Sequence, residues 1–237
     1  MNSFEMPEGI YHIPLRLPWS TPSNVNVYLI EENDGYIMID CGVDGSEYLD
    51  LLKSHLVEIG IGFSDIKLLI GTHMHIDHIG LSGSLREFDI PFALYENSVD
   101  YLDEYNNWSI RFADLVIMAK KESAPLTFID DLKSITTPVY AGKLTKPDIL
   151  LSEGKIKSVK RNLNVIFTPG HDYSEISVHD EHSKIIFSGD HILPKITPFI
   201  PVQNEESNLL KEFINSLDKV HAIDHDIIAP GHGNIIS

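Results

Sequence analysis

Along the chain, short apolar runs alternate with stretches in which apolar residues recur every three or four positions. Residues 25–30 and 36–39 read as paired strands, joined by the turn Glu31-Glu32-Asn33-Asp34-Gly35, because apolar runs bounded by Asn, Asp and Gly favour a hairpin. Residues 46–60 predict a helix in which Ser46 is the N-cap, Leu49, Leu52, Leu56 and Ile59 form the apolar stripe, and Gly60 stops it. Residues 67–70 predict a buried strand ending in Gly71-Thr72, and residues 91–95 another short strand. From 96 to 121 the pattern turns helical and aromatic, with Tyr101, Tyr105, Trp108, Phe112 and Leu115 on one face. The stretch 125–147 holds three prolines and reads as an irregular excursion. Strands resume at 156–159, 165–168, 176–179 and 184–188. A last amphipathic helix covers 207–220, with Leu210, Phe213, Leu217 and Val220 inward, and 226–229 is a closing strand.

Strands outnumber helices, and helices follow strands at intervals. That order predicts an α/β layered domain, sheets with helices packed outside. Neither a short repeat nor a low-complexity linker divides the chain, so residues 1–237 read as one domain with a helical and irregular insertion over about 96–147. Composition agrees: 43% hydrophobic and 22% charged residues belong to a folded domain rather than a disordered one. The formal charge of −17 repels phosphate backbones, so nucleic acid is not expected as a partner. The densest basic stretch, 155–161, carries four charges on what reads as an exposed strand. Cys41 stands alone and cannot form an intrachain disulfide, which fits a reducing compartment. The N-terminal residues lack a basic region followed by an apolar run, and no apolar run is long enough to span a bilayer. A cytoplasmic protein with no membrane contact and a small-molecule substrate is therefore expected.

What changes the picture is histidine: there are twelve, and five of them fall in spaced clusters beside carboxylates. In Thr72-His73-Met74-His75-Ile76-Asp77-His78, four metal-competent side chains lie within six residues just past a buried strand. Imidazole nitrogen and carboxylate oxygen are the donors that zinc takes at catalytic sites. In an extended turn His73 and His75 point to one side, while Asp77 and His78 open the next helix and reach a neighbouring point. One short segment can thus serve two adjacent ions. A solvated polar turn is the ordinary alternative, and the density of donors argues against it. His171, Asp190 and His232 each follow an apolar strand and a small or turn residue. Strand ends are where layered α/β folds build their sites, so the three are expected to share an edge with the first cluster.

The run His73-Met74-His75-Ile76-Asp77-His78, followed by Thr-Pro-Gly-His171, Ser-Gly-Asp190 and Pro-Gly-His232, resembles the metallo-β-lactamase superfamily of metal-dependent hydrolases. The resemblance runs from Asn26-Val27-Tyr28-Leu29 and Ile39-Asp40-Cys41-Gly42 through His232. It implies an αββα four-layer sandwich of two mixed β-sheets with helices on both outer faces. It implies too that His73, His75 and His171 hold one divalent ion and that Asp77, His78 and His232 hold a second, with Asp190 bridging. Zinc is the first expectation for both ions, with iron or manganese as alternatives. Two departures stand out: Cys41 replaces the usual Thr, and Asp172-Tyr173-Ser174-Glu175 replaces a common Thr-x-Gly run, which alters the loop rather than the ligand.

Two adjacent divalent cations lower the pKa of a shared water from 15.7 toward neutrality. The expected reaction is therefore attack of a metal-bridging hydroxide on a carbonyl, with Asp77 as the catalytic group that orients the nucleophile and takes its proton. Ester, thioester or lactone substrates are the expected class. Extra domains of glutathione-thioester, nucleic-acid and flavodiiron relatives are not expected here. A mononuclear non-haem iron persulfide dioxygenase is the alternative on the same fold, because such sites use two His and one carboxylate. A catalytically silent binding protein is the weakest reading, since no ligand position is lost. The aromatic stripe at 101–115 is read either as a pocket wall or homodimer seam, or as plain core. Phe199 and Ile200 are expected near the cleft, His191 beside the ligands rather than among them, and His179, His182, His221 and His225 in solvent. Asp40 is expected to brace the ligand loop, and Cys41 to be a small buried residue.

Overall fold

In a strand whose two faces meet different layers, alternate residues must satisfy different neighbours, and β2 (Asn24–Glu32) does so. Its Val25, Val27 and Leu29 join one buried cluster, while Tyr28 and Ile30 join another. The computed structural model describes residues 4–106, 113, 116–117, 119–125, 127–128, 144–157, 160–201 and 208–237. Within these, β1 (Ile10–Arg16), β2, β3 (Gly35–Ile39), β4 (Ile66–Ile70), β5 (Phe92–Tyr95) and β6 (Ile149–Leu151) form one sheet in that order. The first three strands run antiparallel, and β3 to β6 pair in parallel. The second sheet comprises β7 (Gly154–Lys155), β8 (Leu163–Phe167), β9 (Ile176–Asp180), β10 (Ile185–Gly189) and β11 (Ile227–Pro230), in the order β11-β10-β9-β8-β7. Only the β10–β11 pair is parallel, so both sheets are mixed.

Between the sheets pack Tyr28, Ile37, Ile39, Leu68, Ile70 and Ala93 from the first and Val165, Ile176, Val178, Ile185 and Phe187 from the second. Each such buried aliphatic or aromatic side chain contributes about 1.5–3 kcal/mol relative to exposure. The other face of the first sheet is covered by α1 (Ser46–Glu58), α2 (Ile76–Ile79) and α3 (Ser82–Leu85), through Tyr48, Leu52, Leu56, Ile79 and Leu85. Next comes α4 (Ser98–Asn106), while α5 (Leu209–His221) packs on β8 outside the second sheet. The result is the expected four layers.

Several local expectations are corrected. The α1 helix begins at Ser46 itself; Gly45, at φ 138°, is the cap residue and has no side chain to cap with, while its carbonyl accepts from Tyr48 and Leu49. Its buried face is Tyr48, Leu52 and Leu56, and Ile59 lies outside the helix and exposed. The strand expected at 156–159 lies instead at Gly154–Lys155, while residues 158 and 159 are outside the described residues. In α5 the buried face is Leu209, Ser216 and Val220, with Leu210 58% and Leu217 38% exposed. The helix is turned about one residue from its apolar stripe because the Ser216 hydroxyl donates to Pro169 O at 2.9 Å and pins that face to the loop ahead of His171. The hydrophobic pattern gives no signal for strands β1 and β6. The insertion at 96–147 is described only as α4 and scattered residues after it.

Candidate metal centre

At the ends of β3 and β4 the chain turns twice within hydrogen-bond reach of one carboxylate. Asp40, in the left-handed region at φ 58° and 1% exposed, accepts from Thr72 N at 2.8 Å and from Thr72 Oγ1 at 2.9 Å. It also accepts from His78 Nδ1 at 2.7 Å. Asp40 therefore braces the ligand loop as expected, and Cys41 beside it is a fully buried small residue. Burial pushes the Cys41 thiol well up, further from nucleophilic use.

The seven residues expected at the site come together. His73 Nε2 lies 2.8 Å from His75 Nδ1, which lies 2.9 Å from His171 Nε2. Beside this triad, His232 Nε2 lies 3.3 Å from both His78 Nε2 and Asp77 Oδ2. Asp190 stands between the groups: Oδ1 is 3.4 Å from His78 Nε2, and Oδ2 is 3.4 Å from His232 Nε2 and 3.6 Å from His171 Nε2. Donor atoms about 2.0–2.1 Å from a tetrahedral ion stand about 3.3–3.4 Å apart; the second triad, at 3.3, 3.3 and 3.9 Å, is close to that spacing, and the first, at 2.8 and 2.9 Å, is drawn in tighter. Gly231 makes this approach possible, since a Cβ there would stand 2.5 Å from Asp190 Oδ1 and 2.6 Å from His78 Cε1.

The outward ring nitrogens decide what faces inward. His171 Nδ1 donates to Phe199 O at 2.6 Å and His232 Nδ1 to Asn24 O at 2.6 Å, since a carbonyl can only accept. His78 Nδ1 donates to Asp40, and His73 Nδ1 to Thr72 Oγ1 at 3.0 Å, whose own proton goes to Asp40. In neutral rings the inward nitrogens of these four are then bare lone pairs, those of His78 and His232 facing each other and those of His73 and His171 both facing His75 Nδ1. Such lone pairs repel unless a cation lies between them, so the donor set fits a metal.

Charge in the metal-free site follows the same logic. Burial holds His73 well below the ordinary imidazole value, and burial with the neighbouring His171 lowers His75 to about 4. Burial also opposes protonation of His78, but Asp190, Asp40 and Asp77 outweigh it and raise it well above. His232 is raised to about 9, because bonds to Asp190 and Asp77 exceed the cost of burial. Burial would raise Asp77, yet His78, His232 and His75 hold it at about 2. Asp190 is likewise held well below the carboxylate range, against burial, chiefly by His78.

Sequence reasoning missed Glu175, whose only signal was the departure after His171. It is fully buried; Oε1 accepts from Asp190 N at 3.0 Å, and Oε2 has no hydrogen-bond partner. Burial pushes its carboxyl well up, and Asp190 and Asp172 add to the shift. A carboxyl raised above its unfolded value costs nothing at pH below that value and progressively destabilises the fold as pH rises above it. Glu175→Gln should therefore melt higher than the parent when both are metal-free, with the gap widening from pH 5 to pH 8. A gap that narrows with pH would show an ionised, stabilising Glu175.

Around the centre, Tyr101 stacks on Tyr173 at 4.9 Å, two residues from His171, and packs against the buried cluster under the first sheet. The Tyr105 side chain, Trp108, Phe112 and Leu115 lie outside the described residues. Phe199 holds His171 through its carbonyl while its ring is 73% exposed. His191 is buried next to Asp190, edge-on to Phe213 at 4.9 Å, and burial lowers it to about 4. His182 and His221 are exposed and His225 partly so, but His179 is buried in β9 and corrects the expectation of solvent there.

Comparison with known proteins points the same way. The family model of the metallo-beta-lactamase superfamily matches residues 20–232. The chain is 22% identical to the acyl-coenzyme A thioesterase MBLAC2 of Homo sapiens, over 96% of this chain and 79% of that one. It is 30% identical to a probable metallo-hydrolase of Methanocaldococcus jannaschii, over 89% of this chain and 88% of that one. A crystal structure of a metallo-beta-lactamase family protein from Thermus thermophilus shares the fold, with a TM-score of 0.80 and 24% identity over 96% of this chain and 74% of that one.

Proposed function

Because the chain belongs to the metallo-β-lactamase superfamily, we propose that this metal-dependent hydrolase is dinuclear and cleaves a carbonyl substrate, an ester, thioester or lactone. The observation that carries the reading is the pair of adjacent triads with Asp190 facing both. His73, His75 and His171 would hold one divalent ion, and Asp77, His78 and His232 the other, with zinc favoured by an all-nitrogen and oxygen donor set. When bound, the two ions supply a water ionised near neutral pH and a positive charge for the carbonyl oxygen. Asp77, ionised and 15% exposed at the side chain, would orient that water and take its proton. Asp40 and Thr72 keep the His73 and His78 rings from turning as substrate enters. Among the three carbonyl classes the thioester comes first, supported by the human relative's activity. A small-molecule substrate, a homodimer and a cytoplasmic location complete the proposal; no helix among the described residues is long and apolar enough to cross a membrane.

The test is metal analysis of freshly purified protein alongside ester, lactone, thioester and phosphodiester substrates and a persulfide oxygen-uptake assay. Two ions per chain and hydrolysis of a carbonyl substrate are expected. One ion at saturation, with persulfide-dependent oxygen uptake and no hydrolysis, would overturn the proposal in favour of the iron dioxygenase.

A further inference from the structure

The last ligand position lies on a part of the chain with little support of its own. His232 follows β11, which among the described residues is an edge strand paired with β10 and, through Ile228, bridged to Ile236. Gly231 N donates to Gly189 O at the end of β10 at 2.6 Å, and the other bonds that hold the turn after β11 come from the first sheet, more than 200 residues earlier in the chain. Asn26, on the same face of β2 as the inter-sheet residues Tyr28 and Ile30, is 1% exposed. Its Nδ2 donates to Pro230 O and to Gly233 O, both at 2.9 Å, and its backbone N–H donates to Gly231 O at 2.7 Å. Its Oδ1 accepts from Asn24 Nδ2 at 3.0 Å and bonds His12 Nε2 at 2.9 Å. The carbonyls on both sides of His232 are thus fixed from β2, and Asn24 O holds the His232 ring itself.

From this we infer that Asn26 is the positioning residue for the second ion: it sets the turn that aims His232 Nε2 at Asp77 and His78. The inference rests on His232 being a ligand, as proposed above. The chemistry is specific to a primary amide. Both Nδ2 hydrogens are spent on carbonyls that a carboxylate would repel, and both Oδ1 lone pairs are spent on donors. Tyr28 OH also donates to Pro230 O at 2.7 Å, but it reaches only the near side of the turn. Groups that orient a metal ligand from behind typically govern about 10–100-fold of metal affinity.

The experiment is a zinc titration of metal-free protein against a chromogenic chelator, with melting curves of the same samples. The parent should bind in two steps, and His232→Ala should lose the weaker one, which identifies it. In Asn26→Ala that step should weaken by about tenfold or more, with the other step unchanged. His12→Phe, which keeps a ring on Tyr28 and removes only one bond to Oδ1, should move the same step by less; it serves where Asn26→Ala does not fold. A lower melting temperature with both steps unchanged, or both steps weakened alike, would make Asn26 merely structural and overturn the inference. A parent that takes one ion, or a His232→Ala that titrates like the parent, overturns the two-ion proposal and this inference with it.

Discussion

Asp77→Asn should lower the turnover number on the best carbonyl substrate by about two orders of magnitude or more, the usual range for loss of a general base. The substitution keeps the size and one ligand oxygen but removes the charge. That charge is what the surroundings maintain: burial alone would raise the carboxyl, and three imidazoles hold it at about 2. Asp77 is also one of the two triad positions not fully buried, so it is a ligand-type carboxylate that solvent and substrate can reach. Loss of the second ion would lower turnover too, so metal content is measured in the same sample. His182→Ala is the control, for that side chain is exposed and belongs to neither triad. Two ions retained in Asp77→Asn with turnover at the parental rate would remove Asp77 from the mechanism.

Legibility in the sequence followed how local each feature is. The 73–78 run was readable because turn and helix start are fixed within six residues, and α2 does begin at Ile76 with His75 before it. His171, Asp190 and His232 were readable because each follows an apolar strand, and strand ends converge on one edge whatever the details of packing. Features that depend on distant contacts were not. Pro14 argues against a strand at β1 because it has no N–H for a ladder, and an edge strand tolerates it because it pairs on one side only. With three residues, and Leu150 52% exposed, β6 carries too little apolar pattern to register. The α5 stripe misled because a hydroxyl, Ser216, takes the buried seam. Asn26 and Glu175 carry no periodic signal at all. Their roles exist only once β2 meets the end of the chain and β9 meets the Asp190 loop.

Proton competition should separate the two triads. At pH 7 His73 and His75, held well below 6.5 and at about 4, are already neutral donors. His232, at about 9 in the metal-free protein, still carries its proton there, and an ion can enter the second triad only by displacing it. His78, raised well above the ordinary imidazole value in the same triad, must give up a proton too, so the apparent affinity of that step should rise by at least about tenfold per pH unit between pH 7 and pH 9, while the first step stays nearly flat. Stability runs the opposite way without metal. A histidine raised from 6.5 to about 9 stabilises the fold fully below pH 6.5, and that contribution is lost as pH rises through 9. Zinc binding should thus raise the melting temperature least near pH 6.5 and progressively more toward pH 9. Chelator competition at pH 7, 8 and 9, with His232→Ala assigning the weaker step, measures the first effect, and melting curves with and without zinc measure the second. Equal pH slopes for the two steps would mean that the acidic groups around His232 do not hold a proton for the metal to displace.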